Sequence, residues 1–539
     1  MPLEDSPLAN VIPGRLRAAD PSSRLGIARI RDWLENCNAK HSCVKTETPL
    51  PTRVLDIAVE VGDTKAIRLV EPQGQNGKYI AVSHCWGRSH RIKTTKATIE
   101  QFKSEITYSS LPKTFKHAVV YARELNIRYL WIDTLCIIQD DHLDWEREAS
   151  KMGWFYKNAY LTIAASSSSD DSSGLFQDMD TRMYDVSYVS SDALCHGRPG
   201  LWNTIPDTHI KKNGTYPMFA FNPDNGSAFV VYQTEAGVAK LFLTPEWMPS
   251  STKANPLTYR IGEFGRSYDP LHEEPLSERG WTLQERLLSP RTIHFGSDQM
   301  YWECQECLLA EDGAIFSPNC RTVPTIRAVG LWDAVPEAQE LSMIDKADRK
   351  EYVCSDDDNC SSLSSCDWSW PWKSTWTRII ENYSTRLLTV ENDKLPALAG
   401  LARSMAERTG DFYQAGLWKS MLPDLLFWKV AVSEPTHMCK DPGHDKLLPP
   451  PWKSKVVVPP AYRAPSWSWA SVDASVEFGW LRSEGPLTEI LECRVELAGL
   501  DTFGRVKFGY IKIKVGDLSC APACKRLASQ QIDNVLRHR

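Results

Sequence analysis

From residue 79 onward, apolar runs of strand length alternate with segments whose apolar residues recur at helical spacing. A short apolar run bounded by turn residues is typical of a buried strand. Apolar residues that recur every three or four positions are typical of an amphipathic helix. The order is strand, helix, strand, helix, strand, over residues 79–86, 111–126, 129–138, 144–159 and 160–166. This alternation predicts an α/β fold whose mainly parallel sheet is flanked by helices.

The pattern divides the chain into four parts. Residues 1–78 form a lead-in segment with one predicted helix and one predicted strand. Residues 79–312 carry the α/β pattern, interrupted by a long polar insertion at about 170–275. The acidic, Ser-rich part of residues 313–374 is expected to be a partly disordered linker. Residues 375–539 are expected to form a mixed α+β C-terminal domain.

Composition excludes several classes of function. Hydrophobic residues make up 42% of the chain and charged residues 24%, as in ordinary globular proteins. The net charge of −6 argues against a nucleic-acid binder, which normally carries a basic excess. The first residues do not resemble a secretory signal, and no apolar run approaches the roughly 18 residues that span a bilayer. The 15 scattered cysteines favour reduced thiols, and we therefore expect a cytoplasmic protein. From the charge and the apolar runs together we expect no nucleic-acid and no membrane partner.

Polar side chains follow the apolar residues of the first two predicted strands. Ser83 and Trp86 end the first strand, and Asp133 interrupts the second. Ligands bind beyond the carboxyl ends of strands in open α/β sheets, so these three residues are expected to line a binding site. The alternative is a core strand with internally satisfied polar groups. Because neighbouring side chains on a strand face opposite ways, Ser83 and His84 cannot form a catalytic dyad.

The helix predicted over residues 144–159 carries a carboxylate within its apolar face. At helical spacing Glu148 falls between Met152 and Phe155, and Asp144 is the expected N-cap. A carboxylate among apolar side chains is either neutralised by a cation or kept for function. Glu148 is therefore a candidate functional carboxylate at the rim of a cleft.

Structural ion pairs are the alternative role for the inward-facing carboxylates. In that interpretation Glu148 pairs with an arginine such as Arg123 or Arg286. Glu285 also falls on the inner face of a predicted helix. An ion pair involving Glu285, Arg286 or Arg279 is the preferred explanation for that position.

Three candidate metal ligands lie close together in the lead-in segment. Cys37, His41 and Cys43 form a C-x3-H-x-C pattern. A structural zinc site needs four ligands, so the fourth would come from a distance, for example from His84 or Cys85. The alternative is three residues that are buried or exposed independently.

A second cysteine pair is weaker as a metal motif. Cys304 and Cys307 have C-x-x-C spacing, but the surrounding apolar run predicts a strand, on which residues three apart face opposite ways. The chain contains no Walker loop, no G-x-G-x-x-G, no H-E-x-x-H and no G-x-S-x-G. No metal centre is therefore expected.

Four stretches of the chain resemble, in order, the blocks of the fungal heterokaryon-incompatibility (HET) domain. They are residues 79–87, 111–141, 144–166 and 279–295, and the resemblance covers about residues 79–310. It implies a fungal protein of non-self recognition and regulated cell death. Such a protein is expected to act through a protein partner or through self-association.

The resemblance also implies a candidate chemistry. The HET domain is thought to be similar to the TIR fold, some members of which cleave NAD with a glutamate that follows a Trp by three residues. Trp145 and Glu148 have that spacing. Glu148 is then the catalytic carboxylate and Ser83, Trp86 and Asp133 shape the pocket, with NAD as substrate and no required cofactor. The alternative is a non-enzymatic module that works by oligomerisation, in which Glu148 is structural.

Overall fold

We describe the chain from a computed structural model. The residues described are 20–43, 47–61, 64–87, 92–175, 218–222, 227–234, 237–243, 269–272, 274–311, 315–316, 371–422, 424–431, 456–479 and 488–515.

Helices and short strands alternate along the part of the chain that the structure describes. The helices are α1 (Arg24–Lys40), α2 (Ile99–Ser104), α3 (Lys113–Glu124), α4 (Asp133–Cys136), α5 (His142–Ala149), α6 (Met152–Asn158), α7 (Trp281–Leu288), α8 (Pro371–Ser384) and α9 (Ala399–Thr409). The strands are β1 (Thr48–Pro49), β2 (Val54–Val61), β3 (Thr64–Val70), β4 (Asn76–Gly77), β5 (Tyr79–Ser83), β6 (Tyr129–Trp131), β7 (Leu161–Ala164), β8 (Met218–Asn222), β9 (Ser227–Thr234), β10 (Gly237–Leu243), β11 (Arg291–Phe295), β12 (Met300–Cys304), β13 (Leu308–Ala310), β14 (Ile315–Phe316), β15 (Tyr413–Gln414), β16 (Leu417–Trp418), β17 (Trp428–Val430), β18 (Val476–Phe478), β19 (Thr488–Leu497) and β20 (Val506–Val515).

The central sheet contains nine strands in the order β14-β13-β12-β11-β7-β5-β6-β2-β3. Its middle strands β6, β5, β7 and β11 are parallel, and the connections between them contain α2 to α7. The α/β class is therefore confirmed. The outer strands pair antiparallel, so the sheet is mixed rather than mainly parallel. The reason is that two residues join β2 to β3 and four join β11 to β12, and connections that short permit only antiparallel pairing.

The second predicted strand is shorter than its apolar run suggests. Residues 129–138 are all expected to be strand, but the strand ends at Trp131 and Asp133 begins the helix α4. Periodicity does not separate a short buried strand from a buried helical turn, which is why the sequence misplaces this boundary. Asp133 consequently lies at the start of a helix, directly after the carboxyl end of β6.

The helix predicted over residues 144–159 is divided into α5 and α6. Its N-cap is Asp141, whose side chain accepts hydrogen bonds from the backbone of Leu143 and Asp144, and not Asp144 itself as expected. Asp144 is buried and accepts a hydrogen bond of 2.5 Å from Nη2 of Arg53. The aspartate that the sequence assigns to capping therefore forms an internal ion pair.

The lead-in segment is part of the central sheet. The helix α1 confirms the helix predicted there, and β2 pairs directly with β6. The rings of Trp33 and Trp302 lie 6.4 Å apart where α1 crosses β12, and Nη1 of Arg291 donates to Oδ1 of Asn38 at 2.5 Å. The sheet thus extends across the boundary that the pattern places at residue 79.

The insertion and the linker are described only in part. Strands β8, β9 and β10 form a three-stranded antiparallel sheet, and β9 contains the strand-like sequence AFVVYQT. Residues 176–217 and 244–268 of the insertion lie outside the described residues. Most of the predicted linker, residues 317–370, also lies outside them.

The C-terminal part packs against the helices of the central sheet. The helix α9 contacts α6 and α7, and a Cβ added to Gly153 would lie 2.6 Å from Cα of Gly400, so the two backbones need glycine at this crossing. Side chains from both parts form one hydrophobic cluster. The described C-terminal elements are α8, α9 and three two-stranded sheets, in line with the predicted mixed composition.

Candidate functional site

The hydroxyl group of Ser83 meets the carboxylate of Glu285 at the carboxyl end of β5. Oγ of Ser83 donates a hydrogen bond to Oε2 of Glu285 at 2.5 Å. Every residue of β5 is buried, and Glu285 is only 5% exposed on the inner face of α7. The apolar neighbours that keep β5 and α7 in the core therefore also hold this polar pair inside the protein.

Burial raises the pKa of Glu285 from its ordinary value of 4.5 to about 7. The hydrogen bond from Ser83 and the positive charge of Arg279 lower this pKa, whereas the negative charge of Asp133 raises it. The net shift is upward because removing a carboxylate from water disfavours its charged form. Glu285 consequently exchanges a proton near neutral pH, which is the property required of a general acid or base.

Three groups lie close to the carboxylate of Asp133, directly after the neighbouring strand β6. Nε1 of Trp86 donates to Oδ2 of Asp133 at 2.7 Å, and the backbone N–H of Thr134 donates to Oδ1 at 2.7 Å. Nδ1 of His84 lies 3.8 Å from Oδ1 of the same carboxylate. Ser83, Trp86 and Asp133, which the sequence predicts to share a site, therefore lie along one edge of the sheet together with Glu285.

Gly87 fixes the turn that follows β5. Its φ is +71°, which is in the left-handed region, and an added Cβ would lie 2.3 Å from Cβ of Asp170. Oδ1 of Asp170 accepts hydrogen bonds from the backbone and the hydroxyl group of Ser172. The close approach at Gly87 holds the loop after β5 against the loop after β7, at the edge where Ser83 lies.

Glu148 lies away from these hydrogen bonds. Its side chain is 1% exposed, and Oε1 accepts a hydrogen bond from Oγ1 of Thr52 at 3.0 Å. Nζ of Lys151 lies 3.3 Å from the same oxygen. The inward position predicted by helical spacing is found, but the neighbouring cation is Lys151, three residues along the chain, rather than Arg123 or Arg286.

Arg286 forms an ion pair, as the sequence predicts for this helix, but its partners are Asp269 and Glu303 and not Glu285. Burial alone would lower the pKa of Arg286, but the carboxylates of Asp269 and Glu303 raise it. Nη1 of Arg286 donates to Asp269 at 2.6 Å and Nε donates to Glu303 at 2.8 Å. Glu303 also lies 2.8 Å from Nε2 of His294. This network links α7 to β11 and β12.

A small cavity lies between Ser83 and this network. Its volume is about 20 Å³, which is enough for about one water molecule. It is lined by Ser83, Thr162, Ala164, Ser166, Leu276, Ser277, Thr282, Arg286, Thr292, His294 and Arg386. The lining is mostly hydroxyl groups and cations, so the cavity suits a water or a small polar group.

Residues 79–285 match the family model described as heterokaryon incompatibility protein (HET). The chain contains a HET domain. This confirms the resemblance seen in the sequence. No curated protein and no solved structure gave a significant match. Among the described residues, no helix is both long enough and apolar enough to cross a membrane.

The matched HET region contains both acidic candidates. Glu148 lies in its first half and Glu285 is its last residue. Sequence reasoning places Glu285 on an inner face but does not connect it with Ser83, which is 202 residues earlier in the chain. The sequence does contain a signal for this contact. A carboxylate on the inner face of a helix needs a buried partner, and a serine at the end of a buried strand is a candidate for that hydrogen bond.

Outside the matched HET region, the structure brings the candidate metal ligands together. The ligand atoms of Cys37, His41, Cys43 and Cys304 all lie within 4.8 Å of one another. The prediction that Cys304 and Cys307 face opposite ways is wrong, because β12 ends at Cys304 and the following turn places Sγ of Cys307 3.5 Å from Sγ of Cys304. The distant fourth residue is thus Cys304, and not His84 or Cys85.

Proposed function

We propose that the protein acts in fungal non-self recognition and regulated cell death, and that its HET domain cleaves NAD at the edge of the central sheet. The observation that carries this proposal is the buried carboxyl group of Glu285, with a pKa raised by burial to about 7 and a hydrogen bond from Ser83. Groups with such perturbed pKa values concentrate at functional sites. In this proposal Glu285 has the role that the resemblance implies for Glu148.

The proposed reaction is hydrolysis of the bond between nicotinamide and ribose. That bond breaks with its electron pair on the departing nicotinamide, and positive charge develops on the ribose. The carboxylate of Asp133, held by Trp86 and by the backbone of Thr134, stabilises this charge. Ionised Glu285 takes a proton from the attacking water, whose oxygen bonds to the ribose carbon. The products are nicotinamide, ADP-ribose and a proton.

Access to this site is the regulated step in the proposal. The cavity beside Ser83, at about 20 Å³, admits a water molecule but not a nucleotide, so in this proposal the edge opens before NAD binds. A partner or a second copy of the chain that binds the open form better would shift the population toward it. Binding of that kind would couple recognition to NAD loss in the cytoplasm.

The test compares three carboxylate variants of the full chain. NAD loss and nicotinamide release are measured by chromatography at rising protein concentration for the wild type, Glu285→Gln, Glu148→Gln and Glu407→Gln. Glu407 is the matched control, because its side chain is 59% exposed and pairs with a surface lysine, Lys157. We expect Glu285→Gln to lower the rate about 100-fold or more, since general acid–base catalysis contributes about 10²–10⁴-fold. Loss of activity in Glu148→Gln but not in Glu285→Gln would return the role to Glu148.

A non-enzymatic interaction module is the second candidate function. The contacts of Glu148 favour this function. Its spacing from Trp145 makes Glu148 the expected catalytic residue, but Thr52 and Lys151 contact its carboxylate, as in a structural role. In this case cell death on expression would persist in both Glu285→Gln and Glu148→Gln, and NAD would remain intact. Self-association of the wild type without NAD loss would contradict the enzymatic proposal.

A further inference from the structure

We propose that Cys37, His41, Cys43 and Cys304 bind a structural zinc ion that fastens the lead-in segment to the central sheet. The proposal is independent of the function proposed for the HET domain, because these residues lie outside the site at Ser83 and Glu285. Three of the ligands come from the end of α1 and the turn after it, and the fourth is the last residue of β12.

The distances fit tetrahedral zinc. Zinc–sulfur bonds of about 2.3 Å and zinc–nitrogen bonds of about 2.0 Å at tetrahedral angles put a sulfur about 3.5 Å from a nitrogen. Nδ1 of His41 lies 3.4 Å from Sγ of Cys304, and all four ligand atoms lie within 4.8 Å of one another. Cys304 of β12 is therefore placed to act as the fourth ligand beside Cys37, His41 and Cys43.

The burial of the cluster indicates a closed site. Cys37 is 0% exposed and Cys43 and Cys304 are each 2% exposed, while His41 is partly exposed. All three thiols are free rather than joined as disulfides. Three buried sulfur ligands and one imidazole are the donor set of structural zinc sites, which fill all four positions with protein ligands and leave none for a substrate or water.

Neighbouring groups orient the ligands as second-shell groups do in zinc sites. Oε1 of Glu306 accepts hydrogen bonds from the backbone and the hydroxyl group of Ser42, at 2.8 and 3.1 Å. Its other oxygen lies 4.0 Å from Nε2 of His41, so one imidazole nitrogen faces sulfur and the other faces a carboxylate. The backbone N–H of Glu306 also donates to Sγ of Cys304 at 3.4 Å. A carboxylate behind a metal-binding histidine fixes its orientation and raises its basicity.

Cys307 provides the matched control. Its sulfur lies 3.5 Å from that of Cys304, yet it is not one of the four residues whose ligand atoms are all mutually close. A serine at this position leaves the four ligands in place. Cys307→Ser therefore tests whether the metal depends on the particular four residues or only on a local concentration of thiols.

Metal analysis of the full chain tests the proposal. The protein is purified under reducing conditions without a metal-affinity tag and dialysed, and zinc is measured by mass spectrometry. We expect about one zinc per chain in the wild type, in Cys307→Ser and in His41→Cys, which keeps a zinc ligand. Cys37→Ser and His41→Ala should lose the metal, and Glu306→Gln should weaken zinc binding about 10- to 100-fold.

Two outcomes would overturn the proposal. One is a wild type without stoichiometric zinc after growth and dialysis in zinc-containing buffer. The other is full zinc content in both Cys37→Ser and His41→Ala, which would place the metal elsewhere in the chain. If the ligand variants fail to fold, the wild type is loaded with cobalt and its visible absorption spectrum is measured. Three thiolates and one imidazole give the absorption of tetrahedral cobalt, and its absence would overturn the proposal.

Discussion

Oγ of Ser83 and Oε2 of Glu285 are 2.5 Å apart, although 202 residues separate them in the chain. The contact joins the first strand of the HET domain to its last matched residue. Burial raises the pKa of this carboxylate to about 7, and the hydrogen bond from Ser83 opposes that rise. The two ends of the matched region are thus linked through one titrating group.

The stability of the protein should fall as pH rises through the range in which Glu285 ionises. The folded chain holds the Glu285 proton up to about pH 7, whereas the unfolded chain releases it near 4.5, so the folded state is favoured most below pH 4.5. That advantage is lost between pH 4.5 and 7, and at about 1.4 kcal/mol per pH unit it is worth about 3 kcal/mol. Glu285→Gln should therefore gain about 3 kcal/mol relative to the wild type between pH 4.5 and pH 8, measured by urea unfolding. Equal pH dependence in the two proteins would show that Glu285 titrates normally.

Removing the hydroxyl group of Ser83 should raise the pKa of Glu285 further. Ser83 donates to the ionised carboxylate and so lowers its pKa, an effect that alanine cannot supply. In Ser83→Ala the midpoint of carboxylate ionisation, followed by infrared difference spectroscopy against Glu285→Gln, should move above pH 7. A midpoint that stays in place would mean that the hydrogen bond does not favour the charged form.

Breaking the buried pair of Arg53 and Asp144 should be costly. The guanidinium lies 2.5 Å from the carboxylate, and both side chains are less than 10% exposed. Arg53→Met leaves a buried negative charge and should lower the free energy of unfolding by about 3–5 kcal/mol. The control is Arg31→Met, which breaks the pair with Glu124, because both of those side chains are almost half exposed and such pairs contribute about 0–1 kcal/mol. Adding Asp144→Asn to Arg53→Met should recover part of the loss in denaturant titrations.

A methyl group at the crossing of α6 and α9 should weaken the packing of the C-terminal part against the HET domain. A Cβ on Gly153 would lie 2.6 Å from the backbone of Gly400, a distance that side-chain movement cannot relieve. We expect Gly153→Ala to lower stability by about 1–3 kcal/mol, as overpacking of a tight contact does. Gly479→Ala is the matched control, since its nearest contact would be an ordinary 3.5 Å. If calorimetry gives the same melting temperature for both variants, the helices do not pack this closely.

The sequence predicts local structure well where apolar spacing is unambiguous. It locates β5 and α3, although the strand ends at Ser83 and not at Trp86, and it identifies Glu148 as an inward-facing carboxylate. It fails for Asp133, because an unbroken apolar run fits a strand or a buried helical turn equally well. The N-cap is likewise misassigned, because the predicted helix begins at Asp144 whereas α5 begins at His142 and is capped by Asp141.

Long-range partners are the part that pattern reasoning misses. The candidate site depends on Glu285 reaching Ser83, and the cysteine cluster depends on Cys304 reaching Cys37. Both contacts are set by strand order, which is fixed only when the whole sheet assembles. Helical spacing shows that Glu148 faces inward, but its partner Thr52 lies 96 residues earlier, in the lead-in segment.

Because β2 pairs with β6, the folded sheet of the HET domain includes residues that precede the region matching the family. A fragment cut at residue 79 would leave the backbone groups of β6 without their neighbour and would uncover the side of Leu130 that faces Leu55. An open strand edge of that kind invites pairing between molecules, so such a fragment should precipitate or form sheet-linked assemblies of no biological meaning. Self-association of a fragment that begins at residue 79 therefore needs to be compared with that of the full chain before it is attributed to signalling.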